Sequence, residues 1–176
     1  MMKKHTFFLF AAIFLLGSCG MLQSIMKSTF PYTANLVIPA SSSVDQPHTA
    51  ISTANSFDQD FTKDGNNANR ISEVRIISAK LQSKNPSDYN IGNIAALRIY
   101  MAKADGSDEV LVAIRKDITA NVGNSVVLDI DNSHFLDEIV REPSARIRMV
   151  YLLRKAVSTD VELKVSLSIG AEPRER

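Results

Sequence analysis

Cys19 is the one thiol in this 176-residue chain. A lone thiol can be alkylated, oxidised or joined to another chain, but it cannot close an internal disulfide or build a thiolate metal site. Hydrolysis by a side-chain nucleophile needs a base beside it and a third group to orient that base. Beyond the first few residues the histidines are His48 and His134, neither near a Gly-x-Ser-x-Gly turn. His134 stands beside Asp131 and Asp137, where a capping or surface position explains it. Zinc takes three or four His, Cys or carboxylate ligands at close spacing, and no such set is visible. Oxygen ligands gather at Asp58-Gln59-Asp60 with Asp64-Gly65, and again at Asp129-Ile130-Asp131-Asn132. Neither follows the calcium loop that has Gly sixth and Glu twelfth, and turn formation accounts for both. The expectation is no catalytic residue, no metal and no cofactor.

The surroundings of Cys19 are ordered differently. Lys3-Lys4 precede an apolar run from Phe7 to Leu16, and Gly17-Ser18 lead into the cysteine. A basic start, a short apolar middle and small residues at the end are the layout of a secretory signal, and the run is too short to span a bilayer stably. Leu16-Gly17-Ser18-Cys19 resembles the lipobox of bacterial lipoproteins, a likeness covering about twenty residues. In that family the thiol receives a diacylglyceryl group, a signal peptidase cuts in front of it, and the new amino terminus is acylated. The resemblance implies a signal peptide at 1–18, lipidation of Cys19, and a tether at 19–31 held in a membrane. Two or three acyl chains, at about 0.8 kcal/mol per buried CH₂, anchor a protein where one does not. Gly20 stands where some inner-membrane lipoproteins carry Asp, and no acidic run follows. By resemblance this implies the outer membrane, periplasmic face.

Composition bounds the remainder. Removing 18 residues from 176 leaves 158, enough for one domain with a full-sized core. Four of the eight Phe fall before Cys19 and there is no Trp, so the mature part is poor in aromatic rings. That counts against sugar binding, which uses exposed rings as platforms. Of 20 Lys+Arg, Lys3 and Lys4 leave with the signal; the other 18 face 19 Asp+Glu, a formal −1. No global charge attracts nucleic acid.

Apolar residues alternating with polar ones predict strands with one buried face, as in antiparallel sheets. In the last two strands Ile147, Met149, Tyr151 and Leu153 share one face with Arg146, Arg148 and Arg154 opposite, then Val161, Leu163, Val165, Leu167 and Ile169 alternate with polar residues. Leu97, Ile99 and Met101 share a face before Ala104-Asp105-Gly106-Ser107-Asp108, a hairpin turn. Shorter strands are expected at Tyr32–Pro39, Thr49–Asn55 and through Val126, Leu128 and Ile130. In Arg70–Ser83, Ile71, Val74 and Ile77 recur at helical spacing while Ile77, Ala79 and Leu81 alternate, which reads as a strand with a bulge or a brief helical entry. Asp131-Asn132-Ser133 reads as a cap for one short helix near 133–142, ended by Pro143. The prediction is an all-β domain at 32–170, a two-sheet antiparallel β-sandwich (immunoglobulin-like), with a small barrel as the other solution and a charged, fraying tail at 171–176. The Asn85-Pro86 turn resembles the Asn-Pro signature of water-stress-type β-sandwich domains, over about twenty residues, which implies the same fold.

Outward positions of these strands carry Arg75, Lys80, Arg98, Arg146, Arg148, Arg154 and Lys164. If Arg98, Arg146, Arg148 and Lys164 converge, they form a cationic face for an anionic envelope polymer or an acidic protein. Scattered, the same residues are a solvated surface that guards strand edges. The expectation is a non-catalytic binding or assembly module tethered through Cys19. The alternative is a subunit of a surface appendage or adhesin, with Tyr32–Ile38 as its donor strand.

Overall fold

The alternating stretches do form strands, and nearly all of them pair with strands distant in sequence. A computed structural model describes residues 29–55 and 71–173. Cys19, the expected signal, the tether up to residue 28 and the Asp58, Asp60 and Asp64 cluster lie outside the described residues. The strands are β1 (Thr29–Ile38), β2 (Pro47–Asn55), β3 (Ile71–Asn85), β4 (Ile94–Lys103), β5 (Val110–Arg115), β6 (Ser125–Ile130), β7 (Ser144–Leu153) and β8 (Val161–Pro173). A 3-10 turn, Ile91–Asn93, precedes β4, and a single-turn helix α1, Asp137–Val140, precedes β7.

All pairings are antiparallel, in the order β1-β8-β3-β6-β5-β4-β7-β2. Hydrogen bonding therefore gives one eight-stranded sheet, where two separate sheets were expected, and it curls almost into a barrel. Its two four-stranded halves are joined by a seam of only two residue pairs, Ala113 with Ile130 and Ile114 with Asp129. The edge strands β1 and β2 return alongside each other without sharing a ladder.

The inner face is continuous. Leu36, Ile38, Leu81, Ile99, Met149, Leu163, Val165 and Leu167 are buried together. Each such side chain stabilises the fold by about 1.5–3 kcal/mol relative to exposure.

The strand ends extend beyond the expected boundaries. Thr29 pairs with Gly170, three residues into the expected tether. β8 continues to Pro173 opposite Ile71, into the stretch expected to fray, because β3 supplies partners for Glu172 and Pro173. The candidate donor strand Tyr32–Ile38 is matched residue by residue with β8.

Register shifts interrupt the β3–β8 ladder at three places, and Glu73 sits at φ +54. Of the two readings of this stretch, bulge or helical entry, the bulge is the one present, and its effect on facing was not foreseen. Ile76 turns inward, and Ile77 lies half exposed over the Cα of Gly170, where a side chain would collide with it at 3.0 Å.

The helix differs as well. Asp131 Oδ1 accepts hydrogen bonds from the Ser133 amide at 2.9 Å and hydroxyl at 2.5 Å, closing a local turn instead of capping a helix. α1 begins only at Asp137, tied to β3 by Leu136 N–H to Val74 O (2.9 Å) and Val74 N–H to Asp137 Oδ2 (3.1 Å). Leu136, Ile139 and Val140 are buried, while Phe135 stays half exposed under the Arg75 guanidinium at 4.0 Å.

Candidate functional site

Residues directly opposite in an antiparallel pair share a face, so the ladders define the outer surface row by row. On the β1-β8-β3-β6 half, one row runs Thr33, Ser166, Lys80, Val127 and the next Asn35, Lys164, Gln82, Ser125. That surface mixes short polar side chains with the exposed Val37, Ile77 and Val127, its two lysines separated by Ser and Gln.

The β2-β7-β4-β5 half is different. Its rows read Thr49, Val150, Arg98, Ile114, then Ile51, Arg148, Tyr100, Leu111, with Pro47, Leu152 and Ala96 beside the first. Apolar side chains lie outward here, Ile51 at 52% exposure. The sheet thus brings Arg98, Arg146 and Arg148 onto one surface and leaves Lys164 on the other half. The predicted set of four does not converge, because β8 lies between β1 and β3.

The three arginines are not equivalent. Arg148 donates from Nε and Nη2 to both carboxylate oxygens of Glu109, at 2.8 and 2.5 Å, and lies 4.2 Å over the Tyr100 ring. These bonds hold the Glu109 carboxyl below the usual carboxylate range, against an opposing desolvation. The Arg146 guanidinium lies against the hairpin turn, 2.3 Å from where a Cβ on Gly106 (φ +90) would stand. A side chain there would displace Arg146.

Arg98 is exposed and, among the described residues, has no ion pair. It lines a groove of about 460 Å³ with Ala96, Ile114, Val150 and Leu152, and with Lys116, which also lacks an ion pair there. Arg115 borders the same groove but is paired with Asp129 at 3.2 Å. Asp45 stands at the other end, on the loop before β2. Three strand spacings separate β2 from β5, about 14 Å. Sequence reasoning missed Lys116 and Asp45. Lys116 sits one residue past β5, and only the β4–β5 register, with Leu97 opposite Arg115 and Arg98 opposite Ile114, shows that it lines the same groove as Arg98.

Lys116 is positioned by the loop that follows it, and a polar knot fixes that loop. Asn90 Nδ2 donates to Ala120 O (2.6 Å), while Asn90 Oδ1 accepts from the amides of Gly92 (3.0 Å) and Gly123 (3.1 Å). The Ile91 amide donates to Gly123 O at 2.7 Å. Arg154 donates to Gly92 O and, at 2.8 Å, to Ile118 O. Arg154 was expected as an outward cation; it pins three chain segments instead. Between them these bonds satisfy backbone groups that would otherwise be stranded near the buried Ile91 and Ile118.

The residues considered for catalysis sit elsewhere. His48 Nε2 lies 2.8 Å from the Ser43 carbonyl oxygen, and its ring stacks 5.5 Å from Tyr151. The Ser42 hydroxyl bonds to Tyr151 at 3.0 Å and not to His48. Asp131, Ser133 and His134 do touch, with Ser133 Oγ 2.8 Å from His134 Nδ1. With its hydroxyl proton given to Asp131, Ser133 can meet His134 only as an acceptor, in the tautomer that protonates Nδ1. That polarity is the reverse of an activated nucleophile, whose proton must go to the histidine. Asp129 is engaged by Arg115 and Asp131 by Ser133, and among the described residues no three His, Cys, Asp or Glu side chains gather to hold a metal. No described helix is long and apolar enough to cross a membrane.

No known protein family matches the chain, and no curated protein matches it significantly.

Proposed function

We propose that the chain is a cell-envelope lipoprotein, tethered through Cys19, that works without catalysis as a binding or assembly module. Its working surface is the outer face of β2, β7, β4 and β5, offered to an anionic protein or polymer of the envelope. One observation carries this reading. Arg98 and Lys116, both without ion pairs among the described residues, stand over an apolar floor in one groove of one outer face, while on the opposite outer face Lys80 and Lys164 stand apart, with Ser166 and Gln82 between them. In this reading the two halves of the sheet act as the layers of an immunoglobulin-like sandwich, each turning a separate surface to the envelope.

Geometry supports a partner beyond the tether. β1 starts at one end of the barrel, and the β1–β2 loop turns at the other, beside Pro47 and the groove. Ten residues of strand put about 33 Å between them. The groove therefore lies at the end opposite the start of β1. The localisation that accompanies this reading is the outer membrane, periplasmic face.

The test is retention of the detergent-solubilised full chain on immobilised polyglutamate across a salt gradient. Arg98→Glu with Lys116→Glu should lower the eluting salt sharply, since exposed charge attraction is screened by salt. Lys80→Glu with Lys164→Glu, on the opposite face, should change it little. Equal effects of the two pairs would refute the choice of face, and salt-independent retention would refute the electrostatic recognition.

A further inference from the structure

The groove has the wrong proportions for a purely electrostatic contact. Its volume, about 460 Å³, lies in the range of small-molecule sites. Ala96, Ile114, Val150 and Leu152 give it an apolar lining, and Arg98 and Lys116 give it two cations that no carboxylate among the described residues neutralises. A polyanion would use the charges and leave the apolar lining wet. A neutral oil would cover the lining and leave the charges unanswered. We propose that the groove takes a single-chain amphiphile, its carboxylate or phosphate head between Arg98 and Lys116 and its apolar chain along Ala96, Val150 and Leu152, ending short of Asp45 at the far end. The guanidinium fork of Arg98 matches either head group in two parallel hydrogen bonds, and Lys116 adds a point charge.

The occupant is a detached amphiphile and not the bilayer that holds the tether. The groove lies about 33 Å along the strands from the start of β1. A concave groove across four strands also suits one chain better than a flat array of head groups. This inference goes beyond the proposed function and rests on the same face being the working surface.

Photolabelling tests it. The full chain is reconstituted in vesicles of zwitterionic lipid, a dodecanoate bearing a mid-chain diazirine is added and photolysed, and adducts are mapped by peptide mass spectrometry. Adducts should concentrate on the peptides carrying Ala96, Ile114 and Leu152. Excess dodecanoate or dodecyl phosphate should compete them away, the stronger competitor identifying the preferred head, and dodecyltrimethylammonium should not compete. Arg98→Glu with Lys116→Glu should cut labelling by roughly tenfold or more, the scale of a charge-assisted hydrogen bond. Labelling spread over both faces, or unchanged by the charge reversal, would overturn the proposal. So would equal competition by anionic phospholipid in the vesicles, which would make the bilayer the occupant. The two readings fail separately: polyglutamate retention that depends on Arg98 and Lys116 without groove labelling removes only the amphiphile. Groove labelling without such retention removes only the polymeric partner.

Discussion

Gly92→Ala probes how the groove is held. Gly92 is buried, and a Cβ built on it would stand 2.1 Å from the Ala120 carbonyl oxygen and 2.6 Å from that of Thr119. Real Cβ atoms essentially never come nearer than 3.0 Å to such an atom, so the Ala120 carbonyl must retreat by at least 0.9 Å, the difference between 3.0 and 2.1 Å. Its hydrogen bond from Asn90 Nδ2, now 2.6 Å, would then be near its limit, and the Ile91 bond to Gly123 O would be strained with it. Losing one to two such bonds at about 1 kcal/mol each, with about 1–3 kcal/mol of overpacking strain, gives about 3 kcal/mol. For a domain of this size that lowers the thermal midpoint by roughly 6–12 °C. Gly123→Ala is the control. Gly123 sits at φ +85 with open space around it, so only backbone strain opposes the change, about 1 kcal/mol. Calorimetry of both variants decides the point, and Gly92→Ala melting within a degree or two of the parent would refute the packing argument. Because the displaced loop carries Lys116, Gly92→Ala should also weaken polyglutamate retention at temperatures where it is still folded.

Glu109→Gln should destabilise the protein by about 1 kcal/mol at neutral pH, the upper end for a partly exposed bidentate pair. Since the folded-state Glu109 is held below the usual carboxylate range by Arg148, its contribution is present above the unfolded value and is lost as pH falls through the depressed one. Denaturant midpoints of parent and variant should therefore converge in acid, and a gap independent of pH would disprove the assignment. Burial, only partly offset by the nearby Asn93 side chain, pushes the Tyr89 phenol up to about 12. The unfolded chain ionises this group first, near 10, so stability should fall as pH rises from there towards 12. Tyr89→Phe should reduce that alkaline loss when midpoints are compared at the two ends of the window. Cys19→Ala should leave the protein soluble or uncleaved on fractionation; a variant that is still processed, membrane-bound and detergent-extractable would exclude lipid attachment at that thiol.

Strand identity was legible where period two is strict. In β7 and β8 every second residue is buried as the alternation predicts, because side chains of an extended backbone must point to opposite faces. It was less legible in β3. There the bulge turns Ile76 inward and exposes Ile77, and a bulge is fixed by the register of the strand opposite, not by its own residues. The helix near 133–142 shrank to α1 for a related reason: Asp131 closes its own turn with Ser133, a local competitor that sequence spacing does not distinguish from a cap.

The sequence by itself determined that the domain is β-rich, which residues of most strands face the core, and that its one thiol stands in a lipobox-like setting. These are local properties, set by side-chain type and by the two-residue repeat of an extended chain. Only the tertiary structure decided which outward cations are neighbours. Strand order placed Lys164 on one half of the sheet and Arg98, Arg146 and Arg148 on the other, turned Arg154 into a pin between loops, and set Lys116 beside Arg98. That order is settled by pairing between strands far apart in the chain, where alternation constrains which side of a strand is wet but not which strand lies next to it.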